Sequence, residues 1–224
     1  MCFIIPRMPI TTIFFDLDET LYPSSTGLWA LIRERITSYM NDRMGLPPEE
    51  IPTLRERYFR QYGTTLRGLQ ANHSVDMNEY LAYVHDVPLS DYIKPNPDLR
   101  RMLEGIAIQK AIFTNADAAH AGRVISALGL EGCFDAVIDV YALAPYCKPM
   151  PEAFEKAMKR VGENNPRHCI LIDDIPGTVR AAREFGFTAI LVDEKQAHAD
   201  GGVTLKWLTD LPALTSIWED VKKR

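Results

Sequence analysis

Thr11-Thr12-Ile13-Phe14-Phe15-Asp16-Leu17-Asp18-Glu19-Thr20 is an apolar run that turns abruptly acidic. Its first half is rich in β-branched and aromatic residues and reads as a buried strand. Its second half sets two carboxylates and a hydroxyl just past the strand end. Ligands of open α/β sheets bind outside the carboxyl ends of the strands. Two carboxylates this close repel each other unless a cation or a shared proton compensates. A hard cation such as Mg2+ suits them, because it takes one or two carboxylates and fills its other positions with water and phosphate oxygens. A solvated turn after a strand would carry the same letters, so the rest of the chain must decide.

Working outward, the strand pattern stops after Thr20 for a long way. Residues 27–43 form an amphipathic helix with Leu28, Leu31, Ile32, Ile36, Tyr39 and Met40 on one face. Gly45, Pro47 and Pro48 break it. Further helices are expected over 49–61, in a short piece after the turn Gly63–Leu69, and near 76–86. The segment 22–92 therefore reads as an all-helical insertion, or cap, and residues 1–21 and 93–224 as the core. In the core, strands over 107–113, 136–140, 169–172 and 188–192 alternate with helices over 97–105, 117–128, 151–161, 176–185 and 213–222. That alternation implies an α/β fold with a parallel sheet and helices on both faces.

The bulk numbers narrow the class. The chain has 224 residues, enough for one large domain or one domain with an insertion, and a net charge of −5. That charge argues against a nucleic acid polymer or an anionic membrane as partner. Cys2, Cys133, Cys147 and Cys169 show no C-x-x-C pair, and read as reduced thiols of a cytoplasmic protein. No apolar run has the length of a membrane span. A cleaved leader over residues 1–15 would remove the strand that leads to Asp16, so none is expected; Met8 is an alternative start.

Polar groups recur where core segments end, in the order Asp16/Asp18/Thr20, Thr114/Asn115, Lys148, Asp173/Asp174. Each set has a plain reading: a helix N-cap, a solvated lysine, a turn. Together they offer carboxylates for a metal, donors for phosphate oxygens and one fixed cation. Phosphoryl transfer needs little else, because positioning and charge stabilisation do most of its catalysis.

At these residues the chain resembles the haloacid dehalogenase-like (HAD) hydrolase superfamily. The resemblance rests on Asp16-Leu17-Asp18-Glu19-Thr20, Thr114-Asn115, Lys148-Pro149 and Ile172-Asp173-Asp174, and spans nearly the whole chain. It implies a Rossmann-like parallel sheet with a helical cap inserted after the first motif. It also implies roles. Asp16 is the nucleophile that forms an aspartyl-phosphate, and Asp18 the general acid and base. Thr114 and Asn115 hold phosphoryl oxygens, and Lys148 neutralises charge. Mg2+ is held by Asp16, the backbone carbonyl of Asp18, and Asp174, with Asp173 nearby. Many relatives carry Gly-Asp-Ser in the last motif where this chain has Asp173-Asp174-Ile175. Dehalogenases of the family lack the second aspartate, so Asp18 implies a phosphatase.

Gly63–Leu69 and Phe113–Asp117 are similar to the pyrimidine 5′-nucleotidase-like branch. The expected substrate is thus a small phosphorylated metabolite, a nucleoside 5′-monophosphate with pyrimidines preferred, and Arg67 is the expected cap contact. Phosphoglycolate, pyridoxal phosphate, a phosphomutase reaction and a non-catalytic binding role are the alternatives. The sequence sets no oligomeric state. The five histidines, His73, His85, His120, His168 and His198, show no metal-ligand spacing, with His73 and His85 notable for lying in the insertion.

Overall fold

A computed structural model of the chain describes residues 9–197 and 202–222; Cys2, Met8 and His198 lie outside them. The first strand, β1 (Thr12–Phe15), is buried along its whole length. The chain then runs through α1 (Leu28–Ser38), a π-helical turn (Tyr39–Arg43), α2 (Ile51–Tyr62), α3 (Thr65–Asn72), α4 (Met77–Val84) and the single turn α5 (Leu89–Tyr92). Alternation resumes with α6 (Pro97–Glu104), β2 (Gln109–Phe113), α7 (Ala118–Ala127), β3 (Ala136–Ile138) and α8 (Val140–Leu143). It continues through α9 (Pro151–Val161), β4 (Cys169–Asp173), α10 (Pro176–Phe185), β5 (Thr188–Val192), β6 (Val203–Leu205) and α11 (Thr215–Val221).

The six strands form one sheet in the order β3-β2-β1-β4-β5-β6, and every pairing is parallel. β1 is central, flanked by β2 and β4, with Phe15 level with Ile112 and Ile172. Chain order reverses at β1, and the crevice at such a switch point is where ligands bind.

Period-2 side chains separate the two faces. Ile13, Phe15, Ile112, Ile170, Ile172 and Ile190 join one cluster, which continues into α1, α2, α4 and α6. Phe14, Ala111, Phe113, Leu171 and Leu191 join the other, against Phe154 and Ala157 of α9 and Val179 and Ala182 of α10. With both faces covered, the strands read as continuous apolar runs.

The structure departs from the expected elements in several places: α3 begins at Thr65, inside the expected turn, and the single turn α5 is unexpected. The strand expected over 136–140 stops at Ile138, because Asp139 caps α8 by accepting from the Ala142 amide. A sixth strand, β6, completes the sheet edge. The first helix ends in the π-turn Tyr39–Arg43 rather than running on as α-helix.

The helical segment packs on the core, and its own helices on one another, through glycines. At Gly63 (φ +80°) a Cβ would meet Cys147 Sγ at 2.8 Å and the Lys148 carbonyl oxygen at 2.9 Å. At Gly68 it would meet the Tyr58 ring at 2.2 Å, so α3 can sit on α2 only through a glycine.

Candidate active site

The pairing of β1 with β4 carries one step past the strand, where the Asp16 amide donates to the Ile172 carbonyl (2.9 Å). Asp16 is thereby level with Asp173, the last residue of β4. Lys148 arrives on the loop after α8, and its Nζ donates to Asp16 Oδ1 (2.6 Å) and Asp173 Oδ2 (2.7 Å). The lysine is 3% exposed and Asp173 fully buried. Asn115 fixes that loop from both sides: its Oδ1 accepts from the Lys148 amide (2.9 Å) and its Nδ2 donates to the Lys148 carbonyl (3.1 Å). Thr114 is held by the bond from its amide to the Ile138 carbonyl, and its Oγ1 accepts from the Ala116 amide (3.0 Å). The capping residue of α7 is neither of these but Asp117, whose side chain accepts from the His120 amide.

Charge in this cluster is unbalanced. Burial raises the Asp16 carboxyl to about 7; Lys148 pulls it down, but Asp173 and Asp18 push it back up. Burial also raises Asp174, and Asp16 and Asp173 raise it further. Burial works against the Lys148 ammonium, yet Asp16 and Asp173 outweigh it and hold the lysine charged. The partners differ because Lys148 faces two anions, whereas Asp16 faces one cation and three acids. Asp16, Asp173 and Asp174 each offer a carboxylate oxygen, and these oxygens lie within 4.8 Å of one another. An all-oxygen donor set that a single ammonium cannot neutralise fits a hard divalent ion such as Mg2+.

Asp18 points elsewhere. Its Oδ1 accepts from Tyr22 OH (2.6 Å) and lies 2.9 Å from His120 Nε2. Burial acts to raise its carboxyl, but His120 and Tyr22 prevail and hold it below its ordinary value. The His120 ring stacks on His85 (centroids 4.1 Å apart), and His85 Nδ1 lies 2.5 Å from Asp117 Oδ2. Glu19, the next residue, has φ +58°, a strained conformation for a side-chain-bearing residue. It turns the chain off the end of the first motif.

A cavity of about 530 Å3 joins these groups to the helical segment, with Asp16, Asp18, Thr114, Asn115, Lys148 and Asp174 on its floor. Helices α1, α2 and α4 form its wall.

The haloacid dehalogenase-like hydrolase model matches residues 10–186, from the strand before Asp16 to the glycine after α10. The chain belongs to the haloacid dehalogenase-like hydrolases. It is 30% identical over 207 residues to Phosphate metabolism protein 8 of Saccharomyces cerevisiae, covering 85% of this chain and 64% of that one. It thus spans less than two thirds of that relative's length. It is 24% identical to a glyceraldehyde 3-phosphate phosphatase of Methanothermobacter thermautotrophicus, covering 85% of this chain and 89% of the relative. Among solved structures, a magnesium-bound HAD-family hydrolase of Bacillus subtilis superposes with a TM-score of 0.62 at 14% identity. That match covers 92% of this chain and 99% of the other.

In this HAD-like hydrolase, the expected residues Asp16, Asp18, Thr114, Asn115, Lys148, Asp173 and Asp174 all gather at one edge of the sheet. Arg67 does not join them. Its Nη2 donates to the carbonyls of Val140 (2.9 Å) and Tyr146 (3.2 Å), and its Nη1 to Gln70 Oε1 (2.8 Å). Arg67 is 8% exposed and absent from the cavity lining, so the expected substrate contact there is corrected to a tie between α3 and the loop that carries Lys148. The sequence reading misses His120 and Tyr22. Tyr22 lies one helical turn past Asp18, a local signal that could have found it; His120 is 102 residues away and gives none. Among the described residues, no helix is long and apolar enough to cross a membrane.

Proposed function

We propose that this hydrolase is a Mg2+-dependent phosphomonoesterase that works through an aspartyl-phosphate on Asp16. The observation that carries the reading is Lys148 Nζ bridging Asp16 Oδ1 and Asp173 Oδ2 beside Thr114 and Asn115. The lysine is a fixed cation beside the nucleophile, and a metal ion held by the carboxylates it leaves unneutralised would complete a site for an incoming anion. Asp16 attacks phosphorus, an O–P bond forms to its carboxylate, and the bond to the leaving oxygen breaks. Asp18 gives that oxygen its proton. Asp18 is held ionised by His120 and Tyr22 in the free protein. An arriving phosphate is a like charge that favours its protonated form. In the second half, Asp18 takes a proton from water, hydroxide attacks phosphorus, and Asp16 leaves as carboxylate. Thr114 Oγ1 and the Asn115 amide hold the phosphoryl oxygens, and Lys148 balances charge on both sides of the transfer. Asp16, Asp174 and the backbone carbonyl of Asp18, with Asp173 adjacent, would hold Mg2+, which supplies neutralisation of the phosphoryl charge when bound.

The substrate reading is a nucleoside 5′-monophosphate with pyrimidines preferred, and residues 22–92 act as the cap that selects it. Support comes from the sequence of Gly63–Leu69 and from a cavity whose volume, about 530 Å3, is in the range of sites for whole small molecules. A small phosphate ester is the second reading, favoured by the archaeal relative named a glyceraldehyde 3-phosphate phosphatase.

The test is kcat/KM for phosphate release from UMP, CMP, AMP, GMP, phosphoglycolate, pyridoxal phosphate and glyceraldehyde 3-phosphate, with Mg2+ and with excess chelator. The expected order puts UMP and CMP first, with no turnover in chelator. A small phosphate leading by tenfold, about 1.4 kcal/mol in the transition state, overturns the nucleotide reading and leaves the phosphatase reading standing. Release of no inorganic phosphate, with phosphate returned to a sugar instead, would make the enzyme a mutase.

A further inference from the structure

The cavity wall is built from two helix faces of like composition. On α1, Trp29, Ile32, Arg33 and Ile36 line it; on α2, Pro52, Arg55, Glu56 and Phe59. Each set steps by three, four and seven residues, which is one face of a helix. Each face carries an aromatic ring and an arginine four residues apart.

Arg55 is the unusual member. Its Nη1 donates to Thr37 Oγ1 (3.1 Å), and its Nε is buried with no partner. Among the described residues, neither Arg33 nor Arg55 has a carboxylate within ion-pair distance. Two other arginines of the helical segment, Arg35 and Arg67, are committed. Arg35 donates twice to the Tyr83 carbonyl, and Arg67, although its Nε is also unpartnered, makes the three bonds given above and stands off the cavity. A guanidinium has five donors in a fixed fork. Arg55 lines the cavity with one side-chain partner, so its accessible donors are open to an acceptor that enters there.

The surroundings say which acceptor. Asp18, Glu19 and Glu56 line the same cavity beside Arg33 and Arg55, so a second anionic group on the substrate would meet three carboxylates as well as the guanidiniums. A neutral carbonyl meets no such repulsion. Phe59 is 47% exposed, and with Trp29, Ile32, Ile36, Leu81 and Val84 it makes the wall a largely apolar surface for a flat ring.

We infer that the wall between α1 and α2 receives a planar ring bearing carbonyl oxygens at the end of the substrate remote from the phosphate, with Arg55 donating to a ring carbonyl and Phe59 and Trp29 packing on the ring. This inference rests on the phosphatase reading and names the residue that selects the substrate. Arginine suits the role better than lysine, because its planar guanidinium can donate in the plane of a ring carbonyl and also pack on aromatic faces.

The experiment compares kcat/KM for UMP and ribose 5-phosphate, which share phosphate and sugar and differ by the base, with phosphoglycolate as the anionic control. Wild type, Arg55→Ala, Arg55→Lys and Phe59→Ala are measured, each with its melting temperature. The expected result is a fall of at least tenfold in the UMP to ribose 5-phosphate ratio in Arg55→Ala, mostly in KM, with Arg55→Lys between it and wild type. Phe59→Ala shifts the ratio in the same direction and keeps the melting temperature, because the ring is half exposed. Equal losses on both substrates, or no loss, overturn the inference. A selective loss on phosphoglycolate reassigns Arg55 to an anion and overturns the carbonyl class. Wild-type turnover of ribose 5-phosphate but of no nucleotide removes the base from the site while sparing the phosphatase reading. A wild type inert on every ester removes the phosphatase reading itself.

Discussion

On the floor of the cavity, Lys148 donates to Asp16 and Asp173, and Asn115 grips the Lys148 peptide through both its amide and its carbonyl. On the wall, Arg55 has one partner and Phe59 stands half exposed. The floor's lysine and asparagine are fixed by bonds within the floor; the wall is left with donors and apolar surface to spare. The difference follows from what each must meet. A phosphoryl group presents the same oxygens whatever it is attached to, so its partners can be fixed in advance, and fixed dipoles and charges need no reorganisation at the moment of reaction. On the proposed reading the wall meets the rest of the substrate, so its groups would be satisfied only when that part is bound.

The largest effect should come from the floor. Asp16→Asn keeps the shape of the side chain and leaves Lys148 paired with Asp173. Turnover should vanish while the melting temperature stays close to wild type; residual phosphate release near the wild-type rate would remove Asp16 as nucleophile. Asp18→Asn should lose about 10²–10⁴-fold, and more on an alkyl phosphate than on an aryl phosphate with a good leaving group. His120→Ala should show that same dependence on leaving group at smaller amplitude, because His120 touches Asp18 and neither Asp16 nor Lys148. His120→Gln, which keeps a donor, should recover part of the loss. A His120→Ala loss independent of the leaving group would separate His120 from the proton transfer and make it merely structural.

The unbalanced charge of the floor gives a pH signature in the metal-free protein. Burial raises Asp16 from 3.8 to about 7 and shifts Asp174 the same way. A carboxyl raised on folding contributes stability that is complete below its ordinary value and lost as pH rises through the folded value. The melting temperature without metal should therefore fall between pH 5 and pH 8, through this pair. Added Mg2+ should raise it more at pH 8 than at pH 5, where protons compete for the same oxygens. An Mg2+ effect that is equal at both values would place the ion away from Asp16 and Asp174.

The same contrast explains what is legible in the sequence. The floor residues sit at the ends of apolar runs, so periodicity alone places Asp16, Thr114 and Asp173 at one sheet edge. Lys148 lies beyond a loop that begins with the unexpected helix α8, yet its place in the motif order is enough. Asp173 is the open position of the last motif, and the fold gives it a definite partner in Lys148. The wall is harder. Tyr39, Tyr58 and Tyr80 fit helix packing and are buried, but nothing local distinguishes Phe59, which is exposed, from its neighbour Tyr58. Arg67 draws attention because its stretch, Gly63–Leu69, reads as a glycine-rich turn, where a charged side chain is ordinarily solvated; the structure has it in α3, and its burial depends on carbonyls 73 and 79 residues away. Strand β6 escapes because Val203-Thr204-Leu205 is too short for alternation to register.

Arg67 supplies the smallest expected effect and the sharpest check on the comparison. Arg67→Ala removes two donors from the carbonyls of Val140 and Tyr146. Hydrogen bonds from charged donors contribute about 1.5–3 kcal/mol, so the variant should lose stability on the order of 2 kcal/mol, read from denaturant unfolding. The two carbonyls flank the segment that leads to Lys148, and kcat should drop modestly for every ester alike. The ratio of UMP to ribose 5-phosphate should stay at its wild-type value, in contrast to Arg55→Ala. A selective loss of UMP turnover in Arg67→Ala would mean that the guanidinium leaves those carbonyls when substrate binds. The division between a floor of fixed side chains and a wall completed by substrate would then run through α3 rather than along α1 and α2.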